Sequence, residues 1–292
     1  MTVNFSFVNS VRNDFYGFGE LASLQQQASN LMFDDLYLDF SSCSWFEANL
    51  SAPLGAILNK ATRDVVTIHF NSLPPGVETI LRKNEFLTYY GYGPCIDTYG
   101  TCVKYSMFNP NDSIGFKDYI EKELFAKHSL PNMSDGLTKK IKETIIEVFT
   151  NTGAHGGTDR VFCCGQIFPQ SGRLDFTIAN LGRTFNDNIS NYLGQSLSDV
   201  DAIDWGTQKD NSTRVGAIPG GLGLYTLLSF LSLNNGKVQI ISGDGCWTSS
   251  ASGVTKNRMA SKFQGSIVNI EFNINDRTNY VLSTELEQKD IF

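Results

Sequence analysis

The chain has 292 residues, 41% of them hydrophobic and 18% charged, an ordinary globular composition with room for one large or two average domains. Its formal net charge of −7 argues against broad binding to a phosphate backbone, so no nucleic acid partner is expected, while a local basic pocket for a nucleotide is still allowed. No stretch of about 18 apolar residues is uninterrupted, so no membrane span is expected, and the first residues lack the charged and apolar regions of a secretory leader. Six cysteines with no C-x-x-C spacing, two of them adjacent at Cys163 and Cys164, fit reduced thiols in a cytoplasmic protein better than a disulfide framework. The three histidines, His69, His128 and His155, are too widely spaced for a zinc site.

Strand and helix signals alternate in the first part of the chain. Residues 36–40 alternate in the β manner, and residues 49–60 place apolar side chains at helical spacing, with Pro53 tolerable only near the helix start. Residues 65–70 are a β-branched strand. Residues 74–84 open on Pro74 and Pro75, as a helix N-terminus does. The turn-rich segments 89–94 and 109–112 mark a boundary, so an α/β domain is expected over 1–105 and a second domain over 106–292.

The second part begins with a helix over 114–128. A long helix follows, capped by Ser134 or Asp135, with Leu137, Ile141, Ile145 and Val148 as its core stripe. Glu143, Glu147 and Asn151 form a stripe beside it. Glu147 and Asn151 are four residues apart and point the same way. A carboxylate there can take a proton from an attacking hydroxyl or water, and an amide oxygen can help hold Mg²⁺. Strands over 161–168 and 174–179 are joined by a hairpin turn at 169–173, and the second ends in a turn at Asn180 and Gly182. The polar stretch from Arg183 to Pro219 is wrong for a core and reads as a long functional or mobile loop. Gly220, Gly221 and Gly223 open an apolar helix to about Leu233. Such an entry lets backbone N–H groups approach phosphate oxygens at a positive helix end, although no Gly-Lys-Ser/Thr of a Walker A loop follows. Strands over 237–242 and 266–272 close the sheet.

This order of motifs resembles the GHKL superfamily of ATPases, which includes gyrase B-type ATPases, heat-shock chaperones, histidine kinases and anti-sigma-factor serine kinases. The resemblance covers about residues 110–275. Glu147 and Asn151 match the N box, and His155 with Gly156 resembles its ending in anti-sigma kinases. Asn180 and Gly182 match the adenine-reading Asp-x-Gly element, and Gly220, Gly221 and Gly223 match the second glycine box. Gly265 and Ser266 stand at the small polar element before the last strand. The resemblance implies an α+β fold: a Bergerat-type two-layer α/β sandwich with an ATP lid over 183–219. It also implies ATP and Mg²⁺ as ligands, Asn151 on the metal, Glu147 as general base, and Asn180, Gly182, Gly220, Gly221, Gly223 and Ser266 around the nucleotide. Arg183, Lys209 and Arg214 are the cations that could meet phosphate. One departure is that the family's adenine-reading Asp is Asn180 here. The amide brings no charge, so weaker adenine affinity or a changed base preference is expected. Asp175 has the wrong strand parity to replace it.

The N-terminal unit resembles a STAS-like domain over residues 38–58. Asn49 stands where that family carries a phosphorylatable serine, with Ser51 two residues on, so this unit is expected to dock or scaffold. The implied function is an ATP-binding regulatory protein that hydrolyses ATP or phosphorylates a protein serine. The alternative is a nucleotide-gated interaction module with little turnover. Besides ATP, a regulatory protein, STAS-like in one version, is the expected partner, and a homodimer is a further arrangement left open.

Overall fold

The alternating signals of the first part fold into parallel β-α-β units in the computed structural model, which describes residues 2–126, 130–209, 211 and 222–289. Strand β1 (Thr2–Ser6) and β2 (Ser10–Val11) precede α1 (Phe15–Ala28). β3 (Asp35–Asp39), β4 (Trp45–Phe46), α2 (Ser51–Arg63), β5 (Thr67–Asn71) and α3 (Pro75–Lys83) follow. β1, β3 and β5 make a three-stranded parallel sheet in that order, and β2 pairs β4. α1 and α2 are successive crossovers, and right-handed connection puts both on one face of this sheet. Asp14 caps α1 by accepting the N–H groups of Tyr16 and Gly17, and Pro75 opens α3 as expected.

The rest of the chain builds a larger antiparallel sheet. β6 (Cys102–Phe108) leads into α4 (Ser113–Tyr119), a π-helical stretch (Ile120–Phe125) and α5 (Asp135–Gly156). Then come β7 (Val161–Phe168), β8 (Arg173–Leu181), α6 (Phe185–Leu193), α7 (Asp199–Thr207), α8 (Leu222–Leu233), β9 (Lys237–Ser250), β10 (Gly253–Asn273) and α9 (Ser283–Lys289). The strand order is β6-β7-β8-β10-β9. The expected hairpin joins β7 to β8, with Phe168 opposite Arg173 and Gly172 at a φ of 62°. The chain is therefore mixed α/β with more than one sheet. No helix among the described residues is long and apolar enough to cross a membrane, and none of the six cysteines is in a disulfide.

Strand alternation divides the large sheet into two faces. Cys163, Leu174, Phe176, Ile178, Val268, Ile270 and Phe272 face one side, where Ile141, Ile145 and Phe149 of α5 and Leu227 and Leu231 of α8 complete the core. Val148, expected in the stripe, packs at its margin while Phe149 takes the buried place. Phe162, Cys164, Ala179, Ile241 and Ile267 face the other side and share a core with the parallel unit. There α1 packs on β10, and α2 packs on β7 and β8. The molecule is thus layered as parallel sheet, helices, antiparallel sheet, helices. The divide expected after residue 105 falls inside β6. The ring of Tyr105 lies on Gly55 of α2, where a Cβ would come within 2.6 Å of a ring carbon.

Two expectations about the second part are corrected. The last strands are far longer than 237–242 and 266–272: β9 and β10 form a ribbon reaching Ser250 and Gly253, with irregular register between Arg258 and Ile267. The amide of Gln25 on α1 compensates there, accepting the Gln264 N–H at 2.8 Å and donating to its carbonyl at 3.1 Å. The polar stretch after Arg183 is not an irregular loop over 185–207 but the helices α6 and α7. Thr184 and Asp187 form a reciprocal capping box for the first, and Ser198 caps the second.

Between the parallel unit and the sheet lies a buried polar junction. The Arg173 guanidinium donates to Glu47 at 2.5 Å and Asp175 at 2.7 Å, with Glu271 at 3.4 Å. Glu47 and Asp175 are 1% and 0% exposed. Asn49 donates to Asn13, Thr177 and Asn269 across the same contact, and the Ala48 N–H donates to Gln166. Asn49 is therefore wholly buried against the sheet, and its side chain is an anchor.

Removing one partner of a buried ion cluster leaves uncompensated charge. Arg173→Met is expected to lose about 3–5 kcal/mol of stability in urea unfolding; a loss under about 1 kcal/mol would place these carboxylates outside any stabilising cluster. Burial and the nearby Glu271 push the Asp175 carboxyl up to about 7 from its ordinary 3.8, against the pull of Arg173. The folded state then holds a proton that the unfolded chain releases, so this group's contribution is full below about 3.8 and lost as pH rises through about 7. Relative to Asp175→Asn, wild-type stability is expected to fall across that window, and parallel pH profiles would refute it.

Candidate functional site

Helix α5 carries the catalytic and metal candidates, and its direction is fixed at both ends. Ser134 caps it, accepting the Leu137 N–H at 3.1 Å. The Ser134 N–H donates to the Tyr280 carbonyl at 2.8 Å, while the Tyr280 hydroxyl donates to the carbonyl of Leu233 at the end of α8, at 3.0 Å. The start of α5 therefore meets the end of α8, and the two helices pack side by side in opposite directions. At the helical rise α5 spans about 33 Å and α8 about 18 Å, so the start of α8 stands beside the second half of α5, short of its C-terminal end.

The end of β8 arrives at the same place. Gly182, at a φ of 153°, has no room for a side chain, because a Cβ would run into the Gly156 carbonyl. That carbonyl accepts the Arg183 N–H at 2.7 Å, which stitches the last turn of α5 to the Asn180–Gly182 turn. Gly157 caps α5 in the left-handed region, with the Arg183 side chain beside it.

Asn180 is 1% exposed and faces the helix side of the sheet, with Ser266 opposite it on β10. The Ser266 hydroxyl donates to Asn180 Oδ1 at 2.6 Å. Asn180 Nδ2 is buried with no hydrogen-bond partner. It faces Gly156, where a Cβ would stand 2.6 Å away, so only a glycine fits against this amide. A buried donor without a partner costs about 1–3 kcal/mol, and such groups in native proteins are exceptions that mark bound water, ions or ligands. Asp175, by contrast, points to the opposite face and into the polar junction, as its parity requires.

Glu147 and Asn151 are half-buried on α5. At the helical rise they stand about 13 Å and about 7 Å back from Gly156 along the axis, and roughly half a turn round the helix from it. Gly223 lies in the first turn of α8. Gly220, Gly221 and Arg214 lie outside the described residues, as do the side chain of His155 and all of His128. The ammonium of Lys209 sits 5.6 Å from the ring centre of Tyr225 on α8, so a cation stands by that first turn. The structure thus brings Asn180, Gly182, Ser266, Gly156 and Arg183 into one cluster, while the described start of α8 stands further back along α5.

The helices α6 and α7, which the sequence hid as a loop, are fastened to the β9–β10 ribbon. The Phe185 N–H donates to Ser242, whose hydroxyl donates to Gly265. Asp204 accepts the Trp247 indole at 2.9 Å and Lys256 at 2.7 Å. Burial works against the Asp199 carboxyl, yet the Asp244 N–H, the Asn186 amide and Lys262 hold it below the usual carboxylate range. The spacing Thr184 to Asp187 and Ser198 to Asp201 was the available signal for these helices. A separate depression of about 380 Å³ beside β6 and α4, lined by Ser106, Phe108, Asp118, Tyr119 and Lys122 among others, shares no residue with the cluster.

Among known proteins, no family model matches this sequence and no curated protein shows significant similarity to it.

Ser266→Ala removes the single partner of the Asn180 side chain and leaves both amide atoms buried and unpaired. A loss of about 1–3 kcal/mol is expected in thermal unfolding of the unliganded protein, and an unchanged transition would contradict the pairing.

Proposed function

We propose that this chain is a Mg-ATP-binding regulatory protein of the GHKL type, with a STAS-like unit docked on the face of the sheet opposite the nucleotide. The observation that carries the reading is the meeting of the C-terminal end of α5 with the buried Asn180–Ser266 pair and the Gly182 turn. The residues fit a nucleotide. The orphaned amide of Asn180, against which only a glycine fits, suits the edge of a base. The glycine-rich entry to α8 suits phosphate oxygens. Glu147 and Asn151 share one face of α5, where a carboxylate and an amide suit phosphate oxygens and their Mg²⁺.

In this reading Asn180 and Ser266 orient the base, Arg183 lies at the base end beside Gly157, and Lys209 is the described cation beside the start of α8. Asn151 would hold Mg²⁺ through its amide oxygen, with phosphate oxygens and water completing the shell. Among the described residues no group of three His, Cys, Asp or Glu side chains offers a separate metal site. The Glu147 carboxylate takes the proton of a serine hydroxyl or water as its oxygen attacks the terminal phosphorus. The bond from that phosphorus to the bridging oxygen breaks, and ADP leaves. Mg²⁺ supplies charge neutralisation on the phosphates.

A second reading keeps the binding and drops the turnover. It is favoured by the placement of α6 and α7, which follow directly on Gly182 and are held to the ribbon by polar contacts at the surface. Occupancy of the site could move that pair and change how a regulatory protein docks. The buried Asn49 supports a scaffolding role for the parallel unit in either reading.

Purified protein incubated with γ-labelled Mg-ATP separates the two. As an enzyme, it is expected to release or transfer label, and Glu147→Ala should bind ATP unchanged while losing about 10²–10⁴-fold in rate. Tight binding without turnover in both proteins selects the gate. Absence of ATP binding at millimolar concentration in calorimetry contradicts both.

A further inference from the structure

The Asn180–Ser266 pair sets which base this pocket takes. Asn180 is buried, its Oδ1 is engaged by the Ser266 hydroxyl at 2.6 Å, and its Nδ2 has no partner. Acceptors beside it are already used: the Gly156 carbonyl takes the Arg183 N–H and the Gly182 carbonyl takes the Gln264 amide. The unsatisfied group facing Gly156 is therefore a donor. A carboxylate at this position would offer acceptors alone and would pair with the exocyclic amine of a 6-aminopurine while opposing the keto oxygen of a 6-oxopurine.

The amide can serve both. As placed, Nδ2 donates to a keto oxygen. Turned about its Cβ–Cγ bond, the side chain offers Oδ1 to an amine, and Nδ2 donates to Ser266 instead. A serine hydroxyl donates or accepts by rotating, so the turn costs no hydrogen bond. We propose that Asn180 and Ser266 form a two-way purine reader, so that the site takes 6-oxopurine nucleoside triphosphates as well as ATP. This rests on the nucleotide reading of the site given above.

Inosine triphosphate differs from ATP at this edge of the base and is the direct probe, with GTP beside it. The full chain is titrated with each nucleotide and Mg²⁺ in calorimetry. The expected result is dissociation constants for ATP and inosine triphosphate within about tenfold of each other, about 1.4 kcal/mol. In Asn180→Asp, ATP should bind more tightly and inosine triphosphate more weakly, raising the ratio at least about tenfold, because a site built for one hydrogen-bond pattern rejects the other. The wild-type ratio decides the matter even if that variant does not fold. Binding of ATP with no binding of inosine triphosphate overturns the two-way reader and leaves the nucleotide site standing. Binding of none of the three overturns the site itself, and the reader with it.

Discussion

The arrangement depends on Arg173. Its guanidinium, at the start of β8, joins a carboxylate from the parallel unit, Glu47, to two from the sheet, Asp175 and Glu271, and it also lies 4.0 Å from the centre of the Phe168 ring. Three acidic groups brought together out of water repel one another unless a cation with several donors is fixed among them, and the planar fork of arginine meets that need where a lysine would not. With Arg173 in place, residues 47–51 can lie flat on the sheet, Asn49 can bridge to Thr177 and Asn269, and α2 starts where its apolar length meets β7 and β8. Without it, the face of the sheet that carries Gln166, Asp175, Thr177, Gln239 and Asn269 would need to be wet.

The two faces of the sheet then divide the labour. Odd-numbered residues of β8 build the polar junction and even-numbered ones build the helix-side core that ends at Asn180. Arg173 and Asn180 stand at opposite ends of this one strand, about 23 Å apart at the rise of an extended chain. The junction holds the strand from one side while its far end supplies the buried amide on the other. The polar surface that an isolated two-layer sandwich would leave to solvent is covered here by α1 and α2. The proposed nucleotide end touches the edge of that cover, since Gln25 of α1 pairs with the Gln264 backbone and the Gln264 amide donates to the Gly182 carbonyl.

Much of this was legible from local signals. Ser134 as a cap, the apolar stripe of α5, the hairpin at Gly172, the prolines of α3 and the opposite parities of Asp175 and Asn180 all follow from short-range chemistry. The β9–β10 ribbon was not legible, because Gly243, Gly245, Gly253 and Gly265 with the serines around Ser250 look like turns until a partner strand and the amide of Gln25 absorb them. α6 and α7 were hidden by polarity: their stability comes from caps and from pairing with the ribbon, and little of it from an apolar stripe. Residue 105, where the turn signals suggested a boundary, falls inside β6. The turns at 89–94 are real punctuation, but β6 pairs with β7 and packs on α2, contacts with long sequence separation that no local pattern announces. At the candidate site the residue types were readable, and the orphaned amide of Asn180 was not, since it depends on Ser266 and Gly156 meeting it from two other elements.

The central claim is that one end of the antiparallel sheet holds a nucleotide. Hydrogen exchange of the full chain, followed by mass spectrometry with and without Mg-ATP, reads this directly. The account predicts added protection in peptides covering 151–157, 180–184 and 222–226, with the 47–51 junction unchanged because it is already closed. Protection confined to the depression beside β6 and α4, or no change anywhere at saturating nucleotide, would contradict it.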